Sequence, residues 1–151
     1  MTERPARWAK MEERYTQSNI HSILGLTLRV LAEGEVEIFY DGRKEASNRR
    51  GNPAGGALAQ MVDSAVMQSV GTLLSESDSI TTLELKINYL RAAEPGTTLT
   101  SRGHVEHCGK STAVGTARIV DEQHRAVAVA MVTVSIRRAP AEGGAEVKKS
   151  G

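Results

Sequence analysis

The chain is poor in aromatic residues and in cysteine. It has one tryptophan, three tyrosines and one phenylalanine in 151 residues, so its core must be built from aliphatic and small side chains. The single cysteine, Cys108, excludes a disulfide within the chain and is typical of a reducing compartment. We therefore expect a cytoplasmic protein.

A strong net charge and long apolar runs are also missing. The formal charge of +1 argues against a nucleic-acid-binding protein, which needs a basic face. No run approaches the roughly 18 apolar residues of a membrane-spanning helix. The first residues have no apolar core of a signal peptide, so we expect no leader and no membrane partner. The four histidines and Cys108 lack metal-ligand spacing, so we expect neither a metal nor another cofactor.

The length suits one domain with a single core. We predict that this domain spans residues 1–138. Residues 139–151 are small, charged and rich in glycine, which is typical of a disordered tail.

The sequence does contain a regular succession of helix and strand patterns. Residues 4–18 are highly charged, with Trp8, Met11 and Tyr15 at helical spacing, and predict a short N-terminal helix. Apolar and polar residues alternate from Leu24 to Val30 and again from Val36 to Tyr40, which predicts a hairpin. Four further strands are predicted at residues 83–89, 97–105, 111–120 and 126–136.

Between the second and third strands lies a long helix, predicted from Gly55 to about Leu74. Apolar residues occur nearly all round it, so it should be buried. Asn52 is the expected N-cap, with Pro53 in the first turn. An antiparallel six-stranded sheet curled around this helix buries it. The prediction is an α+β hotdog fold, with a long central helix and the short N-terminal one.

The start of this helix carries the candidate chemistry. Gly55 and Gly56 have no Cβ, so a substrate can approach the backbone closely. The first amides of a helix lack partners, and the helix dipole makes that end attractive to negative charge. Asp63, two turns later, is costly on an apolar helix unless it is paired or used. Together they indicate acyl chemistry, with a hydrogen-bonded buried acid and close packing at the glycines as the alternative interpretations.

The run from Asn48 to Asp63 resembles the active-site segment of hotdog acyl-CoA thioesterases of the phenylacetate-pathway (PaaI-like) type, in the 4-hydroxybenzoyl-CoA thioesterase superfamily. That family has an Asn, a loop ending in His-Gly-Gly, and an Asp eight residues after the first Gly. Asn48, Gly55, Gly56 and Asp63 match in type and spacing. Ala54 stands where the family usually has His. The strand and turn that follow, at residues 82–91 and 107–111, also look like those of the family.

The resemblance implies an acyl-CoA thioesterase that releases a carboxylic acid and CoA. Asp63 would activate water as a base, or alternatively act as a nucleophile, and the Gly55 amide would stabilise the oxyanion. Asn48 would orient the thioester or the water, and Thr82 would position water near Asp63. Ordinary loop and strand roles are the alternatives for Asn48 and Thr82.

The same resemblance implies a set of substrate-binding residues. The turn between the fourth and fifth strands would hold the CoA phosphates, and a solvated hairpin turn is the alternative. With the second glycine and an arginine after the third strand, the expected substrate-binding residues are Gly56, Arg91, His107, Gly109, Lys110 and Ser111.

The spacing of Gly55 and Asp63 predicts how subunits assemble. Eight residues of helix separate them by about 12 Å, so one subunit cannot readily place both around one carbonyl carbon. Two antiparallel subunits can place both groups around one carbonyl carbon, so we predict an obligate homodimer with two shared sites. The resemblance to the family also allows a dimer of dimers. Two other functions remain open. One is a non-catalytic acyl-CoA sensor or scaffold, and the other is a hotdog hydratase or dehydratase, for which Ala54 removes the natural position of a histidine.

Overall fold

A computed structural model describes residues 4–140 of the chain. Its helices are α1 (Ala6–Gln17), α2 (Asn19–Leu24) and α3 (Gly55–Gly71), with a short 3-10 turn at Lys44–Ala46. Its strands are β1 (Leu26–Ala32), β2 (Glu35–Tyr40), β3 (Ser79–Tyr89), β4 (Leu99–Cys108), β5 (Thr112–Asp121) and β6 (Ala126–Arg137). None of the helices within the described range has the length and apolar character required to cross a membrane.

The six strands form one antiparallel sheet in the order β1-β2-β4-β5-β6-β3. Helix α3 packs against one face of this sheet, and α1 packs beside β1. This confirms the predicted α+β hotdog fold, with a six-stranded antiparallel sheet, a long central helix and a short N-terminal helix. Strand β3 lies at one edge of the sheet, so one side of its backbone has no partner strand among residues 4–140.

Helix α3 lies very close to the sheet because the sheet presents glycine where the two cross. A Cβ on Gly103 would lie 2.6 Å from the carbonyl carbon of Ala65, and one on Gly115 would lie 2.7 Å from a methyl group of Val66. Real Cβ atoms are essentially never that close to another heavy atom. The two glycines therefore let the helix backbone approach, and the buried helix residues complete a well-packed core.

Several element boundaries differ from the prediction: β3 begins at Ser79 rather than at residue 83, β4 spans Leu99–Cys108 rather than 97–105, and α3 ends at Gly71. Two further differences change the role expected for a residue. The expected first strand began at Leu24, but residues 19–24 form α2, which ends at Gly25 in the left-handed conformation that glycine favours. The expected N-cap of the long helix was Asn52, but the N-cap residue is Ala54. The Asn52 amide group instead donates to the carbonyl oxygen of Ala93 at 2.7 Å, so its side chain is occupied elsewhere.

Strand β3 contains an irregularity. The pairing with β6 shifts between Thr82 and Glu84, which marks a β-bulge. Leu83 begins the alternating apolar positions of this strand in the sequence, but it lies in the bulge and is 61% exposed. Tyr89, at the end of the same strand, is 52% exposed. The edge strand therefore presents apolar and aromatic side chains that the subunit does not cover.

The structure describes only residues 139 and 140 of the predicted tail. The amide of Ala139 donates to Asp78 Oδ1 at 3.0 Å, which attaches the first residue of the expected tail to the domain. Residues 141–151 lie outside the described range. The single domain over residues 1–138 stays a prediction.

Candidate active site

The carboxylate of Asp63 is held by a hydroxyl group from the edge strand. Asp63 lies in the third turn of α3 and is half-buried. The Thr82 hydroxyl donates to Asp63 Oδ1 at 2.7 Å. Within residues 4–140 no cation lies within ion-pair distance of this carboxylate. A neutral donor therefore orients one oxygen of the Asp63 carboxylate, and this carboxylate forms no ion pair with the described residues.

Gly55 and Gly56 begin α3 and are exposed. Within the described residues their amides make no hydrogen bond, and no side chain caps the helix. Neither glycine has a positive φ angle. A Cβ on Gly56 would meet nothing within 4 Å, and one on Gly55 would make only ordinary contacts with the Tyr89 side chain. Packing inside the subunit thus does not require glycine at either position, which removes close packing within the subunit as the explanation.

A contact that the sequence did not predict lies beside these glycines. The Tyr89 hydroxyl donates to the carbonyl oxygen of Gly55 at 2.8 Å. Two side chains of β3 therefore form hydrogen bonds with α3, Thr82 at Asp63 and Tyr89 at the helix start. The only sequence signal for the second contact is an aromatic residue at the end of an edge strand, which is not specific.

Asn48 lies in the loop that leads into α3, and its side chain is exposed. Its Oδ1 atom accepts from the Arg50 amide at 2.9 Å, while its backbone amide donates to the Asn52 carbonyl at 2.8 Å. The two limbs of the loop pair through a bridge between Ser47 and Pro53. The loop is therefore ordered by local bonds, and the amide nitrogen of the Asn48 side chain makes no bond within the described part of the chain.

The residues expected to bind CoA occupy two ends of the sheet. The turn carrying Lys110 lies beside Ile136, whose amide donates to the Ser111 carbonyl at 2.7 Å. Arg91 follows β3 at the other end and pairs with the buried carboxylate of Asp121 at 2.9 Å. The eleven residues of β3 separate these ends by about 30 Å. One subunit does not bring Arg91 and Lys110 together.

Within the turn itself, the expected ligands differ in what they offer. The Gly109 amide donates to the Thr112 carbonyl at 2.8 Å, which closes the hairpin and occupies the amide. His107 lies on β4 opposite Val114, and its side chain is exposed. Lys110 and Ser111 are exposed as well, so their side chains remain accessible from solvent.

A group of polar side chains from α1, α2 and α3 lies next to Asp63. The Tyr15 and His21 rings stack with centroids 3.7 Å apart, and Ser64 Oγ lies 3.5 Å from His21 Nε2. Burial raises the pKa of Tyr15, and the negative charge of Asp63 adds to that effect. Burial lowers the pKa of His21, which favours its neutral form. The sequence indicated Tyr15 only through its helical spacing in the N-terminal helix and did not predict the cluster.

No group of three or more metal-ligating side chains occurs among residues 4–140. A recess of about 850 Å³ lies on the sheet face opposite α3. There Glu35 accepts a hydrogen bond from Arg102, which lowers the pKa of the Glu35 carboxyl group. None of the predicted site residues lines this recess.

Comparison with known protein families supplies the identification. The sequence profile of the thioesterase superfamily matches residues 51–128, which is more than half of the chain. The chain belongs to the thioesterase superfamily. The match includes Gly55, Asp63 and Thr82, and it begins after Asn48. It confirms the resemblance found in the sequence.

Solved structures agree with this membership. The PaaI protein of E. coli, from the phenylacetic acid degradation operon, superposes with a TM-score of 0.78 at 23% identity over 87% of this chain and 94% of its own. The thioesterase HI1161 of Haemophilus influenzae gives 0.78 at 18% identity over 89% and 93%. The TT0310 protein of Thermus thermophilus gives 0.71 at 25% over 79% and 97%. No curated protein sequence matches the chain significantly. This superfamily member therefore shares the fold of its relatives over most of their length.

Proposed function

We propose that this superfamily member is an acyl-CoA thioesterase that hydrolyses a thioester to a carboxylic acid and CoA. The observation that carries the proposal is the Asp63 carboxylate, which lies on an apolar helix, is oriented by Thr82 and has no paired cation within the described residues. A carboxylate in that setting is suited to accept a proton. The thioesterase HI1161 of Haemophilus influenzae, which shares the fold, supports a thioester substrate.

In the proposed reaction Asp63 removes a proton from water, and the oxygen of that water attacks the thioester carbonyl carbon. The carbonyl oxygen gains negative charge and accepts from the Gly55 amide at the positive end of the α3 dipole. The intermediate then breaks its carbon–sulfur bond, and the CoA sulfur takes up the proton that Asp63 received from water, so that CoA leaves as a thiol and Asp63 is again a carboxylate. Thr82 keeps Asp63 oriented, and Asn48 orients the thioester or the water.

The proposed site is completed by a second copy of the chain. Gly55 and Asp63 are separated by about 12 Å along α3, so each must act with a group from another subunit. Edge strand β3 carries Asp63's partner Thr82 near one end and Gly55's partner Tyr89 at the other. Antiparallel pairing of two β3 edges would set Thr82 of one copy opposite Tyr89 of the other. The exposed Leu83, Tyr89 and Leu90 supply apolar surface for such a dimer.

The same arrangement accounts for the substrate-binding residues. Antiparallel pairing would bring Arg91 of one copy towards Lys110 of the other, where both can face the phosphates of CoA. Gly56, His107, Gly109 and Ser111 belong to this proposed surface. The Gly109 amide is already bonded to the Thr112 carbonyl, so it would not be a ligand. Gly109 would instead allow the substrate to approach the backbone, because it has no side chain.

The decisive experiment measures CoA release by the full chain from a panel of aliphatic and aromatic acyl-CoAs. We expect Asp63→Asn to lower kcat by at least about 100-fold, because it removes the proton acceptor while keeping the shape. Asp78→Asn is the matched control. Asp78 is also half-buried, but it accepts from the Ser75 and Ala139 amides and pairs with Arg138 at the far end of α3. Because Arg138 contacts the turn proposed to bind CoA, this variant should keep the parent kcat even if KM changes.

Three results would redirect the proposal. Acyl-CoA binding without turnover across the panel would favour the sensor or scaffold. Turnover that survives Asp63→Asn in an intact dimer would exclude Asp63 as the base. A monomer with full activity would contradict the shared site and leave thioester hydrolysis itself standing.

A further inference from the structure

The side chain of Tyr89 lies directly against the first residue of α3. Its hydroxyl donates to the Gly55 carbonyl at 2.8 Å. A Cβ placed on Gly55 would lie 3.4 Å from the Tyr89 hydroxyl oxygen and 3.5 Å from the ring carbon that bears it. The ring and the hydroxyl therefore both contact the helix start, although the side chain is about half exposed.

Within the described residues, no other side chain hydrogen-bonds to the two glycines at the helix start. Helix α3 has no capping side chain there, and glycine has the most conformational freedom of all residues. The residue before them is anchored through its backbone, since the Ala54 amide donates to the Ala46 carbonyl at 2.9 Å and its carbonyl accepts from the Leu58 amide at 3.1 Å. The hydrogen bond from the neighbouring strand therefore extends this anchoring to the Gly55–Gly56 peptide.

The bond acts on one particular peptide unit. The Gly55 carbonyl and the Gly56 amide belong to the same planar peptide group. A donor on the carbonyl oxygen fixes the plane of that group and polarises its N–H, which becomes a stronger donor. The Tyr89 hydroxyl therefore fixes the direction of the Gly56 N–H and makes it a stronger hydrogen-bond donor.

We propose that Tyr89 is a positioning residue of the thioesterase site, whose hydroxyl orients the Gly55–Gly56 peptide so that the Gly56 amide donates to the developing oxyanion beside the Gly55 amide. The inference rests on the proposed function, because the oxyanion exists only if a thioester is attacked. Tyr89 acts through the peptide and does not touch the reacting atoms. Its contribution should appear when charge develops on the carbonyl oxygen, in kcat more than in KM.

The test compares two tyrosines that make the same kind of bond. Tyr89→Phe removes only the hydroxyl and keeps the ring at the sheet edge. Tyr40→Phe is the matched control, because the Tyr40 hydroxyl also donates to a backbone carbonyl, that of Arg43, at 2.9 Å. We expect Tyr89→Phe to lower kcat about fivefold with KM changed less than about twofold, and Tyr40→Phe to leave kcat unchanged.

A second measurement reads the order of the helix start. Hydrogen exchange of the Leu58 amide, which donates to the Ala54 carbonyl in the first turn, should be several-fold faster in Tyr89→Phe than in the parent protein and unchanged in Tyr40→Phe. If the parent protein turns over acyl-CoA and Tyr89→Phe matches it in kcat, the role of Tyr89 is refuted and the thioesterase stands. If kcat falls equally in both variants, the effect is general and the inference is refuted too. A parent protein with no turnover overturns the proposed function and this inference together.

Discussion

The two faces of helix α3 follow different rules. On the inner face Met61, Val62 and Val66 are fully buried, and the sheet opposite uses Gly103 and Gly115 because any side chain there would collide with the helix. The outer face carries small or polar residues, which include Gly56, Gln60 and Asp63 and are exposed or half-buried. Packing within the described residues explains the inner residues but not the glycine at position 56 on the outer face.

That difference separates stability from function. Residues that are fixed by packing say little about chemistry. The packing of the subunit does not require the glycine pair or the acid, so these residues indicate a requirement that the subunit alone does not explain. The requirement is met by the substrate and a second copy of the chain in the function proposed above. Substitutions on the inner face should therefore change stability, and those on the outer face should change activity.

The largest effect should come from the inner face. Gly103→Ala places a methyl group against the Ala65 carbonyl and 2.8 Å from Ser69 Oγ. Backbone cannot move aside as a flexible side chain can, so we expect a loss of about 3 kcal/mol in the free energy of unfolding. Thermal unfolding should show a melting temperature lower by about 10 °C. An unchanged melting temperature would mean that the helix does not lie this close to the sheet.

The same substitution on the outer face should behave in the opposite way. Gly56→Ala meets no atom of the subunit within 4 Å, and alanine favours the helix, so stability should stay equal or rise by about 0.5 kcal/mol. A methyl group in the path of the thioester should lower kcat/KM about 30-fold. The melting temperature and the rate of CoA release are both measured on samples of the same preparation.

Oligomer size decides how that result is understood. A dimer that survives in Gly56→Ala assigns the loss to substrate approach. Dissociation on size-exclusion chromatography would show that the partner, not the substrate, needs the glycine. Full activity in an intact dimer would contradict the proposed role of the glycine pair.

The fold was largely predictable from the sequence because its signals are local. Alternating residues predicted the strands, and the nearly continuous apolar surface of residues 55–74 predicted a helix covered by a sheet. The errors arose where distant contacts override local preference. Asn52 is a good N-cap, but the Ala93 carbonyl engages its side chain, and the helix begins two residues after Pro53.

The candidate site was predictable in part. The spacing of Gly55 and Asp63 along one helix can be found in the sequence, and the resemblance led to Thr82, which the structure places in contact with Asp63. Tyr89 was missed because its contact depends on how β3 crosses α3, and no local pattern encodes that crossing. Arg91 and Lys110 were grouped together, although strand register puts them at opposite ends of the sheet.

The smallest effect in the comparison of the two faces concerns the hydroxyl that orients Asp63. Thr82→Val keeps the volume and removes the donor 2.7 Å from Asp63 Oδ1, so the carboxylate should lose its fixed direction and kcat should fall about tenfold. Thr82→Ser retains the hydroxyl and should stay within about twofold of the parent kcat. Steady-state CoA release by the two variants distinguishes the donor from the β-branched shape. Equal losses in Ser and Val would assign Thr82 to strand packing, and the outer face of α3 would then depend on Asp63 and the glycine pair without help from β3 at this point.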